Sequence, residues 1–149
     1  MIKLTLKDGS VKEIENEMSI LDIAKSISEG LARMATAGEV NGEVKDLRYV
    51  VENDCSLNIL TFDSSLEGKK AYWHTTSHIM AQAVKRLFPN VKLAIGPAID
   101  DGFYYDFDVE KPFSDEDKAK IEEEMKKIIK EDLAIERFEL PRDEALKLM

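Results

Sequence analysis

The alternation of apolar and polar residues predicts several short strands in the first 62 residues. Residues 2–6 place apolar side chains at every second position, which is the pattern of a half-buried strand. The turn sequences Asp8-Gly9 and Asn41-Gly42 lie between such segments and therefore predict two hairpins. An apolar run at residues 57–60 predicts a closing strand.

One helix is predicted between the two hairpins. Ser19 can cap its first turn, with Asp22 three residues later in an approximate capping box. Apolar residues recur at helical spacing at Ile20, Ile23, Ala24 and Ile27. Gly30 follows these positions and is expected to end the helix. Two hairpins, one helix and a last strand predict a ubiquitin-like β-grasp fold for residues 1–62.

The remaining residues, 63–149, predict a second unit of mixed helices and strands, so the fold class is α+β. A polar segment at residues 63–70 is interpreted as the junction. The elements expected after it are a helix at about 70–88, strands at 91–95 and 103–107, a helix capped by Ser114, a short strand at 135–140 and a helix from Pro141. The last helix reaches Met149 without a closing cap, so we expect the second unit to be truncated.

Composition narrows the possible partners. The net charge is −9, of which residues 1–62 carry −4 (7 Lys+Arg, 11 Asp+Glu) and residues 63–149 carry −5 (14 Lys+Arg, 19 Asp+Glu). Proteins that bind nucleic acid through its phosphates usually have a basic face. Any nucleic-acid contact is therefore expected to be local, or to be supported from outside the chain.

The cysteine count and the apolar runs predict a cytoplasmic protein. Cys55 is the only cysteine, so no internal disulfide can form, and a reducing compartment is expected. The N-terminus has no long apolar core of the kind found in signal peptides. No run approaches 18 apolar residues, so no membrane span or membrane partner is expected.

His74 and His78, the only two histidines, are the first candidate site. On a helix this spacing puts both imidazoles on one face, where they can share a metal ion or hold one water molecule. Zinc usually takes three or four protein ligands, so the pair alone is an incomplete metal site. The same spacing also fits a structural pair, with one ring bonded to a backbone carbonyl and the other exposed.

The segment 94–108 is the second candidate, because it is rich in glycine and aromatic residues. Gly96 and Gly102 allow close approach of the backbone. Tyr104 and Tyr105 would point to opposite faces of a strand, so one could line a pocket. The residues alone favour the plainer interpretation, an aromatic strand with a glycine turn at each end.

These motifs resemble the N-terminal region of bacterial threonyl-tRNA synthetases. The resemblance rests on Val40–Leu47, on the His74-x-x-x-His78 helix and on Ala94–Phe107, and it covers the whole chain. It implies that residues 1–62 are a TGS domain with the β-grasp fold. It implies that residues 63–149 are the truncated first part of an editing domain.

The resemblance also implies a function. The family ligates threonine to its tRNA with ATP, and its editing domain hydrolyses seryl-tRNA made in error. By this resemblance His74 and His78 would position or activate the attacking water, together with a Cys-x-x-x-His pair located later in the family's chain. Gly96 and Tyr105 would line the aminoacyl pocket.

Cofactors and partners follow from the same resemblance. ATP, magnesium and a zinc ion would bind to the catalytic core, beyond residue 149, and no cofactor or metal is expected in this region itself. The partner would be the aminoacyl end of threonine tRNA, and the full enzyme would be a homodimer.

Two other interpretations stay open. Certain nucleoside kinases begin with modules resembling these two and continue into a P-loop domain. The β-grasp unit could also belong to a non-catalytic binding module. The sequence beyond Met149 would distinguish the kinase from the synthetase. Alanine substitution of both histidines would distinguish a passive binding module from an editing domain.

Overall fold

The computed structural model describes residues 1–148, and residues 2–61 form a mixed sheet with two helices. The strands are β1 (Ile2–Leu6), β2 (Val11–Ile14), β3 (Met18–Ser19), β4 (Ala35–Val40), β5 (Glu43–Lys45), β6 (Val50–Val51) and β7 (Cys55–Thr61), and the helices are α1 (Ile20–Ile27) and α2 (Glu29–Met34). The main sheet has the order β2-β1-β7-β4-β5, and β3 pairs with β6. Strands β1 and β7 run parallel, whereas the other neighbours in the main sheet are antiparallel. This is the predicted β-grasp arrangement.

The first core lies between the sheet and α1. Leu4 and Leu57 from neighbouring strands pack with Ile20 and Ile23 from the helix, and all four side chains are 0–1% exposed. Burying one such side chain stabilises the fold by roughly 1.5–3 kcal/mol. The predicted Asn41-Gly42 turn is confirmed, because both residues have the positive φ (50° and 83°) that a two-residue hairpin of this kind requires.

The predicted start of α1 is confirmed and its predicted end is wrong. Ser19 caps the helix by accepting a hydrogen bond from the Asp22 N–H. The helix ends at Ile27, because Ser28 adopts an extended conformation (φ −164°). The Ser28 hydroxyl then accepts hydrogen bonds from the N–H groups of Gly30 and Leu31, so Ser28 also caps α2. Gly30 therefore lies inside a second helix.

The second half is organised around one long helix. Its elements are α3 (Leu66–Leu87), β8 (Lys92–Leu93), β9 (Ala98–Ile99), β10 (Gly102–Phe103), β11 (Phe107–Asp108), α4 (Asp115–Glu131) and α5 (Arg142–Leu148). Helix α3 packs against α4 through a second core formed by Ala83, Val84, Val91, Ile121 and Ile128. Among residues 1–148, no helix has the length and apolarity needed to cross a bilayer.

The start of α3 is tied to the sheet. Ser65 caps the helix by accepting a hydrogen bond from the Gly68 N–H, so α3 begins four residues earlier than predicted. The Thr36 hydroxyl of β4 donates to the Gly68 carbonyl at 2.9 Å. A Cβ at Gly68 would lie 2.1 Å from the Thr61 carbonyl oxygen, so only glycine fits this contact. The helix that carries both histidines therefore starts from a fixed point on the sheet.

Two predicted strands around the glycine-rich segment are shorter than expected. The strand expected at 91–95 is reduced to β8, and the strand expected at 103–107 is divided into β10 and β11. These two fragments pair with different partners, β10 with β9 and β11 with β8. The division follows because residues 104–106 leave the strand and Asp106 exchanges backbone hydrogen bonds with Ala94 and Ile95.

The strand predicted at residues 135–140 is absent. Residues 133–140 form neither helix nor strand, and every one of them is exposed. The segment pairs with no neighbouring strand. The segment instead contacts the first unit, where the Arg48 guanidinium donates to the Ile135 carbonyl. The predicted Ser114 cap and the helix after Pro141 are confirmed, whereas Met149 lies outside the described residues.

Candidate functional site

His74 and His78 lie one turn apart on the same face of α3. Their Nε2 atoms are 3.1 Å apart, the ring centroids are 4.5 Å apart and the ring planes meet at 85°. A helix brings positions i and i+4 side by side. The sequence spacing and the helix together therefore produce this close approach, and the rings face each other.

The short distance constrains the protons on the two rings. A neutral imidazole has one N–H donor and one acceptor nitrogen. Two Nε2–H groups facing each other would repel, so one Nε2 donates and the other accepts, and the rings take opposite tautomers. Partial burial, and to a smaller extent the charge of His74, lower the pKa of His78. His78 is therefore neutral near pH 7, the state in which an imidazole can accept a proton.

Ser77 connects this helical turn to the glycine-rich segment. Its hydroxyl lies 2.7 Å from the His74 carbonyl oxygen and 2.9 Å from the Gly96 carbonyl oxygen. Gly96 is thus held beside the turn that carries both histidines, although it is separated from Ser77 by 19 positions in sequence. The sequence spacing placed Ser77 next to the imidazoles and gave no sign of this long-range bond.

Gly96 and Tyr105, the two predicted pocket residues, are in direct contact. A Cβ at Gly96 would lie 2.0 Å from Cδ2 of Tyr105, so the tyrosine ring is packed directly against the glycine backbone. The ring also stacks on Phe107 at a centroid distance of 4.8 Å and an interplanar angle of 22°. Tyr104 is 44% exposed. The structure therefore brings Gly96 and Tyr105 together as one wall, which Ser77 connects to the histidine helix.

An ion pair that sequence reasoning missed lies at the other end of the same helix face. Lys70 precedes His74 by one turn, and its Nζ is 3.0 Å from a carboxylate oxygen of Asp100 in the glycine-rich segment. The i, i+4, i+8 spacing of Lys70, His74 and His78 was the available signal. Both side chains are well exposed, so the pair is expected to orient the segment more than to stabilise it.

The histidine pair is not part of a larger set of potential metal ligands among residues 1–148. Within residues 1–148, no group of three or more His, Cys, Asp or Glu side chains is placed to hold a metal ion. The pair alone supplies two ligands, fewer than zinc usually takes from a protein. That the pair works without a metal stays a prediction.

A separate cavity of about 790 Å³ lies where α3 ends and α4 begins. Residues 87–92, 108–113 and Asp117 line it, so it contains neither the histidines nor the wall formed by Gly96 and Tyr105. We favour the histidine face as the candidate site, because it unites groups that can transfer a proton.

The β-grasp unit is similar to a known domain family. Residues 2–61 match the family described as TGS domain, and these are the residues that form the β-grasp sheet.

Over its whole length the chain is similar to bacterial threonine–tRNA ligases. It is 71% identical over 149 residues to the ligase of Acetivibrio thermocellus, 66% identical to that of Clostridium perfringens and 60% identical to that of Clostridioides difficile. In each case the match covers all of this chain and 23% of the relative. The predicted resemblance to the N-terminal region of bacterial threonyl-tRNA synthetases is therefore confirmed.

Proposed function

We propose that this chain is the N-terminal region of a threonyl-tRNA synthetase, and that it contributes to hydrolytic removal of serine from mischarged tRNA. Residues 1–62 would be the TGS domain and residues 63–149 the first part of the editing domain. The observation that carries the proposal is the histidine pair, whose Nε2 atoms lie 3.1 Å apart beside the wall formed by Gly96 and Tyr105.

A second site for hydrolysis answers a physical limit on recognition. Serine lacks one methyl group of threonine, and a pocket discriminates a single methyl by only about 1–3 kcal/mol. A separate pocket that admits the smaller ester and rejects the larger one multiplies this discrimination. The tight contact between Gly96 and Tyr105 supports such a role, because it leaves the wall little room to adjust.

The proposed reaction is the hydrolysis of an ester. A water oxygen attacks the carbonyl carbon of the seryl ester while an imidazole takes the water's proton. The bond between that carbon and the ribose oxygen then breaks, the imidazolium returns its proton to the ribose oxygen, and serine and free tRNA leave. Because the two Nε2 atoms bond each other in this structure, the water would insert between them. Both rings are exposed, so either can turn to admit it.

The wider enzyme supplies what this region lacks. The chain spans 23% of the relatives it matches, and ligation of threonine with ATP, magnesium and a core zinc belongs, in our proposal, to the rest. The partner would be the aminoacyl end of threonine tRNA, and the enzyme would be a cytoplasmic homodimer. Relatives named as threonine–tRNA ligases support this over the nucleoside kinase interpretation.

The proposal is tested with seryl-tRNA and threonyl-tRNA, both made on the threonine tRNA. A full-length protein containing these 149 residues is expected to hydrolyse the seryl ester faster than the threonyl ester. The 149-residue chain alone is expected to hydrolyse both esters slowly, because the family's site includes a second Cys-x-x-x-His pair. Release of amino acid from the charged tRNA is the measurement.

Two results would contradict the proposal. If seryl-tRNA decays no faster with the full-length protein than in buffer, the protein has no editing role. Rapid hydrolysis by the 149-residue chain would show that the described residues form a complete site.

A further inference from the structure

Three consecutive hydroxyl groups in the middle of α3 have different partners. The Thr75 hydroxyl donates to the Ala71 carbonyl at 3.1 Å, and the Thr76 hydroxyl donates to the Tyr72 carbonyl at 2.9 Å. Both bonds stay within the helix. The Ser77 hydroxyl shares its single proton between the carbonyl oxygens of its own turn and of Gly96. Of the three, Ser77 alone connects the helix to another segment.

Burial sets Ser77 apart as well. It is 0% exposed, and within residues 1–148 no other polar or charged residue is classed as buried. Placing a hydroxyl in the interior costs free energy unless it is hydrogen-bonded. Alanine would be the better helix former at this position. The hydroxyl is therefore costly for the helix, and its hydrogen bonds to the carbonyl oxygens of His74 and Gly96 offset the cost.

The far end of this bond is the wall of the candidate site. The Gly96 backbone supports the Tyr105 ring, and that ring stacks on Phe107. A contiguous series of contacts thus runs from the turn of His74 and His78, through Ser77, to Tyr105. The position of Gly96 relative to the helix determines where this wall stands relative to the imidazoles.

We propose that Ser77 is a positioning residue, whose hydroxyl holds the wall formed by Gly96 and Tyr105 at a fixed distance from the histidine pair. The expected effect on hydrolysis rests on the proposed function, whereas the hydrogen bond between Ser77 and Gly96 does not depend on that function. Ser77 would not transfer a proton, since its own proton is committed to the two carbonyl oxygens. Its loss would loosen the pocket and leave the chemistry of the imidazoles unchanged.

The test compares Ser77→Ala with Thr75→Ala and Thr76→Ala. Each variant removes one hydroxyl from the same helix and gains helix propensity, so the two threonine variants are matched controls. Only Ser77→Ala removes a bond that leaves the helix. The difference between the serine variant and the threonine variants therefore isolates the tie to Gly96.

The first measurement is amide hydrogen exchange on the 149-residue chain. In Ser77→Ala the amides of Ala94 and Asp106, which are hydrogen-bonded to the carbonyl oxygens of Asp106 and Ile95, are expected to exchange roughly 5- to 50-fold faster, because the segment that contains Gly96 loses its bond to the helix. In both threonine variants these amides should exchange as in the unchanged chain. Equal exchange in all four proteins would overturn the tie.

The second measurement is hydrolysis of seryl-tRNA by the full-length protein. Ser77→Ala is expected to reduce kcat/KM roughly 5- to 50-fold, and to narrow the ratio of seryl to threonyl hydrolysis. The acid limb of the pH–rate profile should stay in place, because the imidazoles are intact. A shifted acid limb, or a rate equal to that of Thr76→Ala, would overturn the positioning role.

The two proposals can fail separately. If the unchanged full-length protein does not hydrolyse seryl-tRNA, the proposed function fails while hydrogen exchange still decides whether the tie exists. If Ser77→Ala melts below the assay temperature, Ser77→Cys takes its place, because a thiol is of similar size and a weak donor. In Ser77→Cys we expect the same changes in amide exchange and in hydrolysis as in Ser77→Ala, but smaller ones. Exchange and hydrolysis equal to those of the unchanged protein would overturn the proposal.

Discussion

Replacing His78 with glutamine in the full-length protein is expected to slow seryl-tRNA hydrolysis by roughly 10²- to 10⁴-fold, the usual contribution of a general base. Glutamine keeps a side chain that can hydrogen-bond but cannot take the proton of the attacking water. His74→Gln is expected to have an effect of the same order, because the two Nε2 atoms are 3.1 Å apart and, in our proposal, act on one water. Threonine ligation should be unchanged in both variants.

The pH dependence adds a second check on His78. Because its pKa is lowered, the ring stays neutral as the pH falls through the usual histidine range and gains a proton only below it. The hydrolysis rate of the unchanged protein should therefore persist to a pH lower than an unperturbed histidine would allow. In His78→Gln this acid limb should be lost.

Tyr72→Phe is the control for this experiment. Tyr72 lies on α3, but its ring packs edge-on against Phe62 at 5.3 Å, away from the histidine face. Removing its exposed hydroxyl leaves the helix and the imidazoles in place. Hydrolysis that is equally fast in Tyr72→Phe and His78→Gln would contradict a catalytic role for the pair and would favour a non-catalytic binding module.

Gly96→Ala is expected to have the second largest effect, on both stability and hydrolysis. The new Cβ would lie 2.0 Å from Cδ2 and 2.5 Å from Cε2 of Tyr105. The ring cannot move freely, since Phe107 stacks on it. Such overpacking typically costs about 1–3 kcal/mol in the free energy of unfolding. Displacement of Tyr105 should also reduce discrimination between seryl and threonyl esters.

Gly30→Ala is the matched control for this substitution. Gly30 lies in α2, where a Cβ would meet only the Ser28 hydroxyl at 3.4 Å, an ordinary contact. Alanine there is expected to be neutral or to stabilise the chain by up to about 1 kcal/mol, because alanine favours helix over glycine. Urea denaturation of the 149-residue chain measures both variants. Equal stability of Gly96→Ala and the unchanged chain would contradict the described contact with Tyr105.

Features that depend only on residues close together in the sequence could be predicted from it. The spacing of His74 and His78 was sufficient to predict that the rings meet, because a helix repeats every 3.6 residues. The Asn41-Gly42 hairpin was predictable for a similar reason, since two adjacent positive φ angles suit few other residues. The β-grasp sheet followed from the order of these elements.

Competing local signals explain the errors. Gly30 was expected to end α1, but Ser28 both stops that helix and caps the next, and a capping hydroxyl outweighed the glycine signal. The aromatic alternation at 103–107 and the apolar residues at 135, 138 and 140 each suggested a strand. Neither segment found a continuous partner strand, and alternation alone does not supply one.

The composition of the candidate site was only partly predictable. Gly96 and Tyr105 were expected to line a pocket because of a family resemblance, whereas the residues alone favoured a plain strand. Tyr105 lies in the segment 104–106, which leaves the strand. The Ser77 bond joins positions 19 residues apart, and no helical or strand period relates such positions. Long-range contacts of this kind require the three-dimensional arrangement.

The most direct test of the histidine pair is a long-range ¹H–¹⁵N spectrum of the 149-residue chain, in which only two imidazoles contribute. We predict that near pH 7 the two rings differ at Nε2, because one Nε2 donates to the other across 3.1 Å, so that one ring carries its proton at Nε2 and the other at Nδ1. We also predict that His78 titrates below the usual histidine pKa. Two rings that share the Nε2–H tautomer and titrate independently at the usual pKa would contradict the paired arrangement.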